Sequence, residues 1–242
     1  MSIHLVGGGW SEEGIPERFG PFVAEAAARA AGSGRMVPRI GVLLVDPEEE
    51  PGAESAAAEA RYRALLLAAG ACEPVVTTAH GGEPFPSGVL SDIDALFVGG
   101  GLTPAYLEAI LPIVDEVRLL VSDGLPYLGF SAGAMIAPDR AIVGGWRIGG
   151  IPVCAEDCGE DLDEVAVVEG LGLIDIAVDV HAAQWGTLTR LVATTEAGLV
   201  DGGVAIDEDT ALIVGDELRV VGLGNVWQVV DGEDGVVVSS TA

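Results

Sequence analysis

The chain has 242 residues, half of them hydrophobic, with 38 acidic residues against 11 basic ones and a formal charge of −27. That length can bury a sizeable core, and nothing in the composition marks disorder or low complexity. All 11 basic residues are arginines, and so acidic a surface repels phosphate backbones, which argues against nucleic acid as a partner.

Taken in chain order, residues 3–6 predict a short strand that stops at Gly7, Gly8 and Gly9. Residues 16–31 carry alanine-rich helical spacing with Pro16 near the first turn. "RIGVLLVD" is the continuous apolar run of a buried parallel strand, and "ESAAAEARYRALLLAAG" a helix closed by Gly70. "EPVVTT" and "IDALFVGGG" predict further strands, "LPIVDEVRLLVSDG" a helix, and "LPYLGF" a strand leading into "SAGAMIA". Alternation at this interval implies right-handed crossovers, hence a doubly wound α/β fold with a mostly parallel sheet and helices on both faces. After Gly144 the segments become short and β-branched, interrupted by one helix in "QWGTLTRLVATTEAG", which predicts a C-terminal mixed or antiparallel β extension. No linker of disordered composition divides residues 1–242, so one domain is expected. No leader-like or membrane-spanning run is visible, and the expectation is a cytoplasmic protein that does not engage membranes.

The three cysteines, Cys72, Cys154 and Cys158, and the three histidines, His4, His80 and His181, show no metal-ligand spacing, so neither a metal nor a cofactor is expected. Chemistry concentrates in "LGFSAGAM", where Ser131 stands between two glycines at a strand-to-helix junction. A G-x-S-x-G turn in that context exposes a serine hydroxyl as a nucleophile; an N-cap serine is the simpler alternative. In "FVGGGLTPAYL", a second strand end, Gly100 or Gly101 could offer an amide to a developing oxyanion, with Ala132 offering the other and Thr103 opening a turn beside them. The first glycine triplet, "LVGGGW", lacks phosphate-loop spacing and reads as a sharp turn.

A serine nucleophile needs a base. His181 closes the strand "IAVDVH" at the same edge and is the best placed of the three histidines. Asp207, Glu208 and Asp209 could each orient it, and Asp179, two residues before the histidine, could shape the pocket.

The ordered set "FVGGGLTPAYL", "GFSAGAMI", "DVHAAQWGTLTRL" and "GVAIDEDTALIV" resembles the peptidase E and cyanophycinase family of serine peptidases, over most of the chain to about Val214. The resemblance implies a class I glutamine amidotransferase-like fold with Ser131 as nucleophile, His181 as base, Gly100, Gly101 and Ala132 as the oxyanion hole, and Glu208 as the acid. It implies hydrolysis of a small peptide or isopeptide, Asp-containing substrates included, by a monomer or homodimer. Where cyanophycinases carry D-Q-H followed by three arginines, this chain has Asp179, Val180 and His181, then Trp185, Thr187 and Arg190. Each missing arginine–carboxylate contact would cost roughly 1.5 to 3 kcal/mol of binding. Arg190 is left, either to anchor one substrate carboxylate near Trp185 or to lie on the helix surface. A noncatalytic member that binds a small ligand or protein partner is the alternative that the altered "AAQWGTLTR" segment suggests.

Overall fold

The structure is a computed structural model that describes residues 2–242. Strand β1 (Ile3–Val6) is followed by helix α1 (Ile15–Gly32), β2 (Arg39–Asp46), α2 (Ala53–Ala69) and β3 (Glu73–His80). Next come β4 (Ala95–Val98), α3 (Thr103–Ile110), α4 (Val114–Ser122), β5 (Tyr127–Phe130) and the one-turn α5 (Ala132–Met135). The second half holds β6 (Arg140–Gly144), β7 (Arg147–Ile148), β8 (Ile151–Pro152), β9 (Ala166–Glu169), β10 (Ala177–Val180), α6 (Ala182–Trp185) and α7 (Leu188–Glu196). Five further strands end the chain: β11 (Gly202–Ile206), β12 (Thr210–Val214), β13 (Leu218–Gly222), β14 (Val226–Gly232) and β15 (Gly235–Thr241).

A seven-stranded sheet in the order β13-β12-β1-β5-β4-β2-β3 forms the centre, and its five strands from β1 to β3 run parallel. Helices cover both faces, as expected of near-continuous apolar strands whose side chains need burial on each side. On one face α1 and α2 bury Phe19, Phe22, Tyr62 and Leu66 against Phe97 and Phe130 of the sheet. On the other, α3, α4 and α5 pack with Leu5, Leu43, Val98 and Tyr127 into the larger core.

The C-terminal strands divide between two sheets. Strand β12 extends the central sheet antiparallel to β1 and β13 follows antiparallel to β12, whereas β10, β11, β14 and β15 form a second, mixed four-stranded sheet. The turn between β11 and β12 therefore carries the chain from one sheet to the other, and that turn is Asp207, Glu208 and Asp209. Two local readings differ from the sequence expectation. Thr103 starts a helix rather than a turn, with Pro104 in its first turn, and Gly186 at φ +75° splits the expected single helix into α6 and α7. Among the described residues, no helix is long and apolar enough to cross a membrane.

Candidate active site

Strands β1, β5 and β4 are neighbours, so their carboxyl ends bring Gly7 to Gly9, Ser131 and Gly99 to Gly101 to one edge of the sheet. Ligands in open α/β sheets bind at that edge. Ser131 follows β5 directly at φ +53°, ψ −111°, a conformation that non-glycine residues adopt only when the surroundings impose it. Its amide donates to Val6 O at 2.9 Å, which ties the turn to β1. No side-chain capping bond forms, so the N-cap alternative does not account for the hydroxyl. The flanking glycines permit the turn sterically: a Cβ on Gly133 would lie 2.3 Å from Val98 O.

The Ser131 Oγ lies 2.9 Å from His181 Nε2, and His181 Nδ1 lies 2.8 Å from Glu208 Oε1. A carboxylate only accepts, so Nδ1–H donates to Glu208 and Nε2 is left to accept from the serine hydroxyl. His181 is also in a left-handed conformation, φ +56°, at the end of β10, and its amide donates to Gly7 O. Burial holds the imidazole below its ordinary pKa, against the opposing pull of Glu208. The neutral ring is therefore the resting form near pH 7. Trp185 stacks on it with ring centroids 4.0 Å apart and planes 10° from parallel, which fixes one face of the imidazole.

The three consecutive acids have three different partners. Glu208 meets His181; Asp207 accepts from the amides of Ala183 and Asn225 and from the indole of Trp227; Asp209 pairs with the buried Arg18 and accepts from Ser11 N. The first glycine triplet does more than turn. A Cβ on Gly8 would stand 2.2 Å from His181 Cε1, and Gly8 has φ +94°, so this loop packs directly on the histidine. Sequence spacing held no sign of that, because the approach joins residues 173 positions apart.

Four expected substrate-side contacts are reassigned by the geometry. The Gly100 amide donates to the Tyr62 hydroxyl at 2.8 Å and so is not free for an oxyanion. The amides of Gly101 and Ala132 have no protein acceptor among the described residues. Arg190 is 1% exposed and spans Asp179 with two bonds, Nε to Oδ2 at 2.8 Å and Nη2 to Oδ1 at 2.7 Å, while Nη1 reaches Cys158 O at 2.6 Å. Burial opposes its charge and Asp179 outweighs that, so the guanidinium stays ionised and paired. Neither Arg190 nor Asp179 is open to a substrate carboxylate, because each already satisfies the other. Thr103 is fully buried and supplies its amide to Glu160 Oε2 at 3.0 Å. Burial pushes the Cys154 thiol up to about 11 and raises Cys158 as well, the opposite of what a thiolate nucleophile needs.

A cleft of about 860 Å³ opens over Ser131 and His181. Trp10, Tyr62 and Phe130 line it as one aromatic cluster, and Trp146 lines it together with the 156–163 segment, to which its indole bonds through Asp163.

With this geometry in view, two solved structures are similar to the whole of it. A peptidase from an acI-B1 Actinobacterium is 17% identical, with 98% of this chain and 96% of that chain covered and a TM-score of 0.65. A protein assigned as Peptidase E from Listeria monocytogenes EGD-e is 16% identical, with 92% and 98% covered and a TM-score of 0.53. The chain has a peptidase E-like fold. No family model matches it, and no curated protein does. At such identities the likeness carries the fold, and the chemistry rests on the residues at the sheet edge.

Proposed function

We propose that this protein is a serine hydrolase that cleaves a small peptide or isopeptide through an acyl-enzyme. The observation that carries the reading is the continuous hydrogen-bond chain from Ser131 through His181 to Glu208, set on a strained turn at the floor of a cleft. The two peptidase neighbours on the same fold support it.

In this mechanism His181 Nε2 takes the Ser131 proton as Oγ attacks the scissile carbonyl. The Gly101 and Ala132 amides receive the oxyanion; neither has a protein acceptor among the described residues, Ala132 follows the serine directly and Gly101 lines the same cleft, so their donation costs no existing bond. His181 then gives its proton to the departing amine; in the second half-reaction it draws a proton from water, whose oxygen attacks the acyl carbon, and returns that proton to Ser131 Oγ as the acyl bond breaks and the acid product leaves. Glu208 holds the tautomer throughout and balances the imidazolium while it exists.

The test is labelling with a fluorophosphonate probe, followed by peptide and isopeptide turnover. Wild type should be labelled at Ser131, and Ser131→Ala should lose both labelling and turnover, the latter by about 10⁶-fold in kcat. Equal labelling of both proteins removes the nucleophile assignment. Absence of turnover together with ligand-induced thermal stabilisation that survives Ser131→Ala would favour a noncatalytic binding protein.

A further inference from the structure

One wall of the cleft has no part in the hydrolytic steps. Glu156, Asp157, Glu160, Asp161 and Asp163 all line it, and with Glu208 they make six of its nineteen lining residues acidic. That is twice the share of 38 in 242 for the chain as a whole, so the wall is more than a sample of an acidic surface. No arginine lines the cleft. Among the described residues none of the five carboxylates of 156–163 has an ion-pair partner, as holds for most acidic residues of a chain with 38 acids and 11 arginines; what sets these five apart is that they share one cleft. The two arginines that the fold brings nearest are engaged: Arg190 with Asp179, and Arg147 over the Trp146 ring at 3.6 Å.

The donors that do reach this wall are neutral. Glu160 accepts from the Thr103 amide, and Asp163 from the Trp146 indole at 3.3 Å. Such bonds orient a carboxylate without cancelling its charge. Burial holds the Glu160 carboxyl above its ordinary range, against the opposing pull of the Thr103 bond and of Arg190. Three of the four tryptophans, Trp10, Trp146 and Trp185, also line this cleft, and indole faces are the strongest cation–π partners among side chains. One face of each is taken, by Arg61 at 3.8 Å, Arg147 at 3.6 Å and the His181 ring at 4.0 Å, which leaves the other face of each ring for a ligand. No group of three or more His, Cys, Asp or Glu side chains is arranged to hold a metal ion among the described residues, so the carboxylates are spread along a wall rather than gathered at a point.

We propose that the cleft selects peptides or isopeptides bearing a cationic group, guanidinium or ammonium, near the scissile bond, held between the 156–163 carboxylates and the tryptophan faces, and that it repels Asp-containing ones. This rests on the reading of the cleft as the place of hydrolysis. It reverses the expectation attached to Arg190, which faces inward and leaves no fixed cation to meet an acidic substrate.

The test measures binding apart from turnover. The Ser131→Ala protein is titrated by calorimetry with blocked tetrapeptides, acetyl-Ala-Ala-Xaa-Ala-amide, where Xaa is arginine, lysine, citrulline or aspartate. A fifth peptide carries citrulline with a free amino terminus. Arginine and lysine should bind at least tenfold tighter than the near-isosteric, neutral citrulline, and aspartate weaker than citrulline. A gain confined to the free amino terminus would place the α-ammonium at this wall and the side chain elsewhere. Glu160→Gln/Asp161→Asn/Asp163→Asn should shrink the arginine advantage to within twofold, and the exposed Asp161→Asn alone should shrink it in part if the triple variant does not fold. Removing three charges at the β14–β15 hairpin, Asp231→Asn/Glu233→Gln/Asp234→Asn, should leave it intact. Equal binding of arginine and citrulline, tighter binding of aspartate, an equal loss in the hairpin variant, or no binding of any peptide would overturn the proposal. Wild type that shows no probe labelling and no turnover, with the arginine preference preserved, would instead remove only the hydrolase reading.

Discussion

The strand ends that carry Ser131, His181 and Glu208 are cross-braced: Glu208 bonds His181, Asp209 pairs with Arg18, Asp179 pairs with Arg190, and Asp207 accepts from the amides of Ala183 and Asn225 and the Trp227 indole. The 156–163 segment, which lines the same cleft, presents five carboxylates, of which only Glu160 and Asp163 accept a bond among the described residues, each from a neutral donor. Bonding and burial fix positions, which proton transfer from Ser131 to His181 over 2.9 Å and the 2.8 Å hold of Glu208 on the ring both require. Carboxylates with few bonds fix little by themselves; under the proposed function their use is to act on what enters. On that proposal rate belongs to the triad and selectivity to the acidic segment, and the two buried arginines are fasteners. Arg18 ties the 207–209 turn to the N-terminal loop through Asp209, Ser11 O and Glu13 O. Arg190 ties the strand that ends in His181 to the start of the acidic wall through Asp179 and Cys158 O.

Changes in the two regions should therefore separate in kinetics. The largest expected effect is Glu208→Gln, which keeps the shape and loses the charge that sets the His181 tautomer. The kcat should fall by about 10⁴ with little change in KM, as steady-state kinetics will show. Next is Arg190→Ala, which strands Asp179 without its partner in the core. Loss of one member of a buried pair costs about 3 to 5 kcal/mol, so denaturant unfolding should show a large drop in stability, while an arginine serving only as a substrate anchor would leave stability unchanged. Gly8→Ala should lower kcat by about 10²-fold, because the methyl group meets His181 Cε1 at 2.2 Å and moves the ring. A fold retained by circular dichroism with that loss would show that the first glycine loop serves the histidine. The smallest is the pH response. With His181 held below the ordinary histidine value by burial, the neutral base persists to lower pH, so the acid limb of kcat/KM should have its midpoint below 6.5. A midpoint above 6.5 would mean that Glu208 outweighs burial.

Much of this was legible in the sequence where the signal was local. Apolar strands alternating with helices gave the parallel sheet, and glycine on both sides of Ser131 gave the strained turn, because a Cβ at either place collides with neighbouring backbone. His181 could be placed at the functional edge because it ends a strand. What spacing left open was the partner of each acid in 207–209. Consecutive residues on a tight turn point in different directions, and only the docking of two sheets decides which direction faces the histidine. The family resemblance supplied Glu208 as the acid, and of the three it is Glu208 that meets His181 Nδ1.

By itself the sequence determined the layered α/β architecture and the chemistry-bearing residue types at strand ends, since both follow from periodicity and local sterics. Only the tertiary structure decided what those residues face. It turned Arg190 into the core against Asp179, gave the Gly100 amide to Tyr62, and set the 156–163 carboxylates in the same cleft as Ser131. Each of those outcomes depends on contacts between segments tens of residues apart, where burial and pairing, rather than spacing, determine which charges remain available to a substrate.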